Sequence, residues 1–150
     1  MISIKVENVS MNKDLEVVQT KPTVLNGNST LRKLQNYSVS SGLTNDSIVY
    51  LYTTKTPIDK SYFGAAVPGL FSVFSTFGTF CSNVSSAAII VQTPGSQSHW
   101  TTVQGTARVF GTMNFVKFTE EDIRKLNTTL SRCHANTAIS KESEEEEHLK

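Results

Sequence analysis

The sequence predicts an α+β domain: a mostly antiparallel β-sheet, sandwich-like or built as a meander, then a C-terminal amphipathic helix and a disordered acidic tail. Three observations carry this. Ser and Thr number 18 each and Asn ten, which suits short strands joined by polar turns better than a helix bundle rich in Ala, Leu, Glu and Lys. The apolar runs before residue 119 are short and show no βαβ alternation. From Thr119 onward the apolar period becomes helical.

Ile2, Ile4 and Val6 alternate with Ser3, Lys5 and Glu7 as a half-buried first strand. Leu15 to Thr20 is a second, less regular one. Residues 21–47 are a polar middle with a turn at Asn26-Gly27, and Leu31 and Leu34 suggest a short helical turn within it. Ser47–Thr53 (SIVYLYT) is the clearest strand. Ile48, Tyr50 and Tyr52 fall on one face and Val49 and Leu51 on the other, so both faces are expected to be covered. Ala87–Thr93 (AAIIVQT) reads as a buried strand closed by Pro94-Gly95. Trp100–Gln104, Thr106–Gly111 and Asn114–Phe118 read as a meander with Gly105 and Gly111 at its corners.

Thr119-Glu-Glu-Asp122 offers a helix cap with a reciprocal acid three residues on. Ile123, Leu126, Leu130 and Cys133 then form one helical stripe expected to be buried, with His134-Ala-Asn136 ending the helix. One globular domain over 1–137 and a tail over 138–150 follow. At 150 residues the chain is long enough to bury roughly 68–70% of its unfolded surface without disulfides or metal.

Formal charge is +1 but unevenly placed. Residues 141–150 hold five acids and two bases, leaving twelve bases against eight acids in the body. The body is mildly basic, with the doublets Arg32-Lys33 and Arg124-Lys125 and no aromatic interleaving. That excludes dedicated nucleic-acid readout and leaves a phosphate or headgroup contact at most. Met1-Ile-Ser-Ile-Lys-Val alternates like a strand and does not read as a secretory signal. The two cysteines, Cys81 and Cys133, are too few for a disulfide framework. Together these suggest a reducing, intracellular setting. Six Asn-x-Ser/Thr sequons, at Asn8, Asn28, Asn36, Asn45, Asn83 and Asn127, then read as largely compositional.

From Ser61 to Ala107 the chain holds no Asp, Glu, Lys or Arg. Within it, Phe71, Phe74, Phe77 and Phe80 stand three apart. A three-residue helical step turns by about 300°, so the rings would spread into a broad apolar face. Read one way, that face is core; read the other, it contacts a membrane surface or a partner. Pro68, Gly64, Gly69, Gly78 and interspersed Ser and Thr exclude a membrane span.

The residues suggest no catalytic, cofactor or metal site. Cys133 and His134 are adjacent but Cys81 is distant, without metal-ligand spacing, and Cys133 on the apolar stripe reads as core. His99 reads as a loop end, and Asp14/Glu16 and Asp46/Asp59 as solvated flanks of strands. Ser143, followed by Glu144–Glu147, resembles the substrate of an acid-preferring protein kinase.

Pro57-Ile-Asp-Lys-Ser-Tyr-Phe-Gly64 is similar to a stretch near the N-terminus of vesiculovirus (rhabdovirus) matrix proteins. The family's basic N-terminus and Pro-Pro-x-Tyr motif have no counterpart here. The resemblance implies a self-associating inner-coat protein that contacts membrane and nucleocapsid. The expected function is a non-catalytic viral-type structural protein, matrix or coat, working as a homo-oligomer. The alternatives are a ligand- or carbohydrate-binding β domain using Trp100, Tyr50 and Tyr52, and a small enzyme of unrecognised type.

Overall fold

The computed structural model describes residues 3–19, 21–59 and 72–147, with side chains as far as residue 133. After a short 3-10 turn at Lys13–Leu15, the order is β1 (Val24–Asn26), α1 (Gly27–Ser40), β2 (Ile48–Thr53), β3 (Thr56–Ile58), β4 (Val73–Ser75), β5 (Ser86–Val91), α2 (Trp100–Val109) and α3 (Glu120–Glu147).

The centre is a three-stranded sheet in the order β2-β5-β4. β2 runs parallel to β5, from Ile48 opposite Ser86 to Thr53 opposite Val91. β4 is antiparallel to β5, with Val73 opposite Ile90. A second pair, β1 and β3, is parallel. The class is α+β as expected, but the sheets are mixed and parallel, which corrects the mostly antiparallel arrangement. The reason lies in β5: Ala87, Ala88, Ile89 and Ile90 are all fully buried, and strands covered on both faces are the kind that pair in parallel.

Alternation sends the two faces of the sheet to different layers. Ala87 and Ile89 join Leu25 and Leu34, with Val49, Leu51 and Phe74 packed around them. Ala88 and Ile90 join Val73, against Tyr50, on the other face. α1 covers the first face. α2 covers the second, so closely that a Cβ on Gly105 would stand 2.9 Å from Ile90 Cδ1 and 3.3 Å from Val73 Cγ1.

Of the span read as a meander, residues 114–118 bend without forming a strand, and the first part, Trp100–Val109, is α2. Its Thr and Val content favours strands locally, but helical spacing puts Gly105, Thr106 and Val109 together against the sheet. The Tyr50 and Thr106 hydroxyls lie 2.6 Å apart across that contact. Tertiary packing overrides propensity here. α1 is also longer than the expected turn. Asn26 Oδ1 accepts the Ser29 N–H at 3.0 Å and caps the helix, so Asn26-Gly27 opens a helix where a turn was read. Its buried stripe is Gly27, Thr30, Leu34 and Ser38; apart from Leu34 these are small residues that hydrophobic periodicity does not register.

The strands expected at the chain's start do not form. Residues 3–12 are irregular, with Ile4 and Val6 exposed. Over Leu15–Gln19 there is a single bridge, Val18 to Leu25. That segment is anchored by Glu16, which pairs with Lys55 and accepts the Thr53 hydroxyl at 2.7 Å. Burial pushes the Glu16 carboxyl up, but Lys55 and Thr53 outweigh it and leave it below its usual range.

α3 opens where the sequence places it. Thr119 N–H donates to Asp122 Oδ2 at 2.8 Å, and Asp122 N–H donates back to Thr119 Oγ1 at 3.2 Å. The buried side of α3 is not the expected stripe, however. Ile123 is 48% exposed, whereas Asp122 and Thr129 are buried; Leu126 and Leu130 are half-buried. The helix runs on to Glu147, past the end expected at His134–Asn136. Side chains from 134 onward, and with them Ser143 and the side chains of the acidic tail, lie outside the described residues.

Asp122 is a polar hinge pin for this helix. Hydrogen bonds from Thr112 Oγ1 at 2.6 Å, the Thr119 N–H, Asn114 Nδ2 at 2.7 Å and Thr119 Oγ1 hold its carboxyl well below the usual carboxylate range. A depressed carboxylate stabilises the fold fully above its unfolded value of about 4, and that contribution is lost as pH falls through the folded value. Asp122→Asn should therefore lower Tm at neutral pH and flatten the acid side of the Tm-versus-pH curve below about pH 4. A variant curve parallel to wild type throughout that range would show that the carboxylate is not the group linked to folding.

The two cysteines correct another expectation. Cys81 and Cys133 form a disulfide with Cα atoms 5.1 Å apart, so Cys133 is neither a free core thiol nor a nucleophile. Two cysteines make no framework, but one bond between distant segments suffices here, and the inference of a reducing compartment loses its basis. No helix among the described residues is long and apolar enough to cross a membrane.

Candidate contact surface

The segment after β4 is a tight loop tied down by hydroxyls. Thr76 Oγ1 lies 2.7 Å from Thr79 Oγ1, which lies 2.9 Å from Ser86 Oγ. Gly78, at φ +65, meets Gly111, at φ +99, where this loop crosses the end of α2; only glycine takes such φ values readily at so close an approach. The Gly78 N–H donates to the Arg108 carbonyl at 3.0 Å, and the Phe80 N–H to the Val109 carbonyl at 3.3 Å. These bonds fix the loop against α2.

α3 is docked on the same loop by polar and covalent links. Arg132 Nη2 donates to the carbonyls of Gly78 at 3.0 Å and Phe80 at 2.9 Å. Thr129 Oγ1 donates to the Phe110 carbonyl at 2.9 Å. The Cys81–Cys133 bond closes the far end. Between loop and helix lies a shallow groove of about 400 Å³. Phe77, Gly78, Phe110 and Gly111 form one side, and Arg124, Lys125, Thr129 and Arg132 the other. Glu121 lies 3.0 Å from Lys125 and offsets one of the three cations. The groove therefore keeps an excess of positive charge beside an apolar floor.

Of the four spaced phenylalanines, the three described do not share a helical face. Phe74 lies in β4 and packs on the core beside α1. Phe80 is half-buried and meets the Phe110 ring edge-on at 4.7 Å. Phe77 is 56% exposed at the groove. Phe71 lies outside the described residues. The spacing of three spans a strand and a loop, where it carries no common direction.

The aromatic residues considered for ligand contact make different contacts. Tyr50 and Tyr52 stack with centroids 6.3 Å apart, and burial pushes the Tyr50 hydroxyl pKa up. The Tyr52 hydroxyl lies 3.0 Å from Thr102 Oγ1 on α2. Trp100, 53% exposed, starts that helix beside His99 and meets Phe115 at 6.4 Å. Tyr52 and Trp100 are each about half-exposed, but Tyr52 meets α2 at Thr102, about 200° around the helix from Trp100.

The basic groove was half-visible in the sequence. Arg124-Lys125 stood out as a doublet, whereas Arg132 and Phe77 reach it only through the disulfide and the loop crossing. Among the described residues no group of three or more His, Cys, Asp or Glu is placed to hold a metal ion. Asp14, Asp46 and Glu16 serve turns and an ion pair. Comparison of the chain with family models, curated proteins and solved structures gives no match.

Proposed function

We propose that this chain is a non-catalytic structural domain that acts by self-association, with the Phe77 groove as its contact surface. The observation that carries the reading is the pairing of an apolar floor with an excess of cations in the groove between the loop and α3. Its occupant is the acidic segment of a second copy. Residues 141–150 carry five acids against two bases, opposite in sign to the groove. Coulomb attraction between such surfaces is screened over about 10 Å at 0.1 M salt, so association weakens as salt rises.

Size-exclusion chromatography with light scattering over a concentration series tests this. The expected mass rises above 16.5 kDa with concentration at low salt. Arg124→Glu, Phe77→Ser and deletion of 141–150 should each return it towards monomer, roughly tenfold or more in dimer Kd for a loss of about 1.4 kcal/mol. A wild-type chain that stays monomeric across the series overturns the reading. Vesicle flotation in the same buffers tests membrane-surface contact.

The matrix-or-coat attribution rests on the Pro57–Gly64 octapeptide, of which Pro57–Asp59 are described, at the end of β3. The intracellular setting that went with it is opposed by the disulfide, which favours the coat side. The second reading, a carbohydrate- or ligand-binding domain, is favoured by the exposed rings of Tyr52 and Trp100. Quenching or a blue shift of the Trp100 fluorescence on adding oligosaccharide would support it.

A further inference from the structure

Six of the ten asparagines head a sequon, where chance pairing with this Ser and Thr content gives about two. All six, at Asn8, Asn28, Asn36, Asn45, Asn83 and Asn127, are exposed, although they lie on two helices and three separate loops or irregular segments. The other described asparagines do structural work. Asn12 and Asn26 cap helical turns, and Asn114 clamps Asp122. Of the sequon asparagines only Asn28 has a side-chain hydrogen bond among the described residues, to Asp59 at 3.0 Å. Asn is a poor helix former, so Asn28, Asn36 and Asn127 on exposed helical surface are locally unfavourable choices.

We propose that this surface is built to carry N-linked glycans on those six asparagines, and that the domain folds in the oxidising compartment where they are added. The Cys81–Cys133 disulfide is the independent observation, since such bonds form and persist in that compartment. The two features also meet in space. The Asn45 carbonyl accepts the Cys81 N–H at 2.8 Å, and Asn83 follows Cys81 by two positions.

The helical sequons show how acceptance and folding fit together. Two residues along a helix turn about 200°, so an outward Asn sends its hydroxyl residue inward. Thr30, Ser38 and Thr129 are indeed buried. Glycan transfer, which reads that hydroxyl, therefore precedes closure of the helices. In the transfer, the Asn amide nitrogen bonds to the anomeric carbon of an oligosaccharide. That carbon's bond to a phosphate oxygen of the lipid-pyrophosphate donor breaks, and the amide nitrogen loses a proton as the pyrophosphate leaves.

No sequon falls between residues 84 and 126, so none lies on α2. Asn127 stands next to Thr128 at the rim of the groove.

The test is to release glycans enzymatically in H2-18O from the protein isolated from the cells that make it, then to map the peptides by mass spectrometry. Expected is 18O-labelled Asp at a majority of the six positions. Labelling at no more than the chance number overturns the proposal. A second arm secretes the full chain behind a cleavable leader from cultured animal cells. Expected is soluble, glycosylated protein with no thiol titrating after denaturation. Glycosylated chain retained as aggregate would show that the surface does not tolerate glycans, and overturns it equally. Self-association is measured on unglycosylated bacterial protein, so failure there is separate from failure here.

Discussion

Ile89→Ala and Ile90→Ala, made separately, should each destabilise the domain by about 2–5 kcal/mol in urea melts, as buried Ile-to-Ala changes do. Both side chains are fully buried, and they point to opposite sides of β5. Truncating Ile89 opens a cavity between the sheet and α1, beside Leu25 and Leu34. Truncating Ile90 opens one under α2, where Gly105 has no side chain to move into the space. Equal large losses mean a sheet with a helix layer on each face. A near-neutral Ile90 variant would mean that α2 does not cover the second face, and the meander would return as the better description of residues 100–118.

Replacing both cysteines by serine should cost about 4 kcal/mol in the chain-entropy account for a loop of this length. The bond spans 52 positions, so without it the unfolded chain regains a large closed loop's freedom. Reductant added to the wild type should reproduce the shift in urea midpoint, and the serine variant should ignore reductant. The same change should loosen the groove, because α3 would then be held by hydrogen bonds alone, from Arg132 to the loop and from Thr129 to the end of α2. A reductant-insensitive wild type with two titratable thiols would remove the disulfide, and with it the main physical support for an oxidising compartment.

What was legible in the sequence by itself was local and strong. SIVYLYT and AAIIVQT are strands because their β-branched and aromatic runs suit no other element of that length. AAIIVQT is buried on both faces as its apolar run suggests, whereas SIVYLYT, expected to be covered on both, is half-buried with Tyr52 exposed. The start of α3 was legible because Thr119 and Asp122 satisfy each other's backbone donors regardless of what lies nearby. The tertiary structure decided the rest. α1, α2 and α3 turn Gly27, Thr30, Ser38, Gly105, Thr106, Asp122 and Thr129 inward, so their buried stripes carry little hydrophobic signal and their Thr and Val content reads as strand. Such residues go inside when the backbones approach closely enough to need small side chains and to supply hydroxyl partners. Both conditions belong to neighbours far along the chain: Tyr50 for Thr106, Val17 for Thr30, Phe110 for Thr129. The groove follows the same logic. Phe77, Arg124 and Arg132 have no sequence relation to one another, and only the crossing of Gly78 with Gly111 and the bond from Cys81 to Cys133 set them side by side.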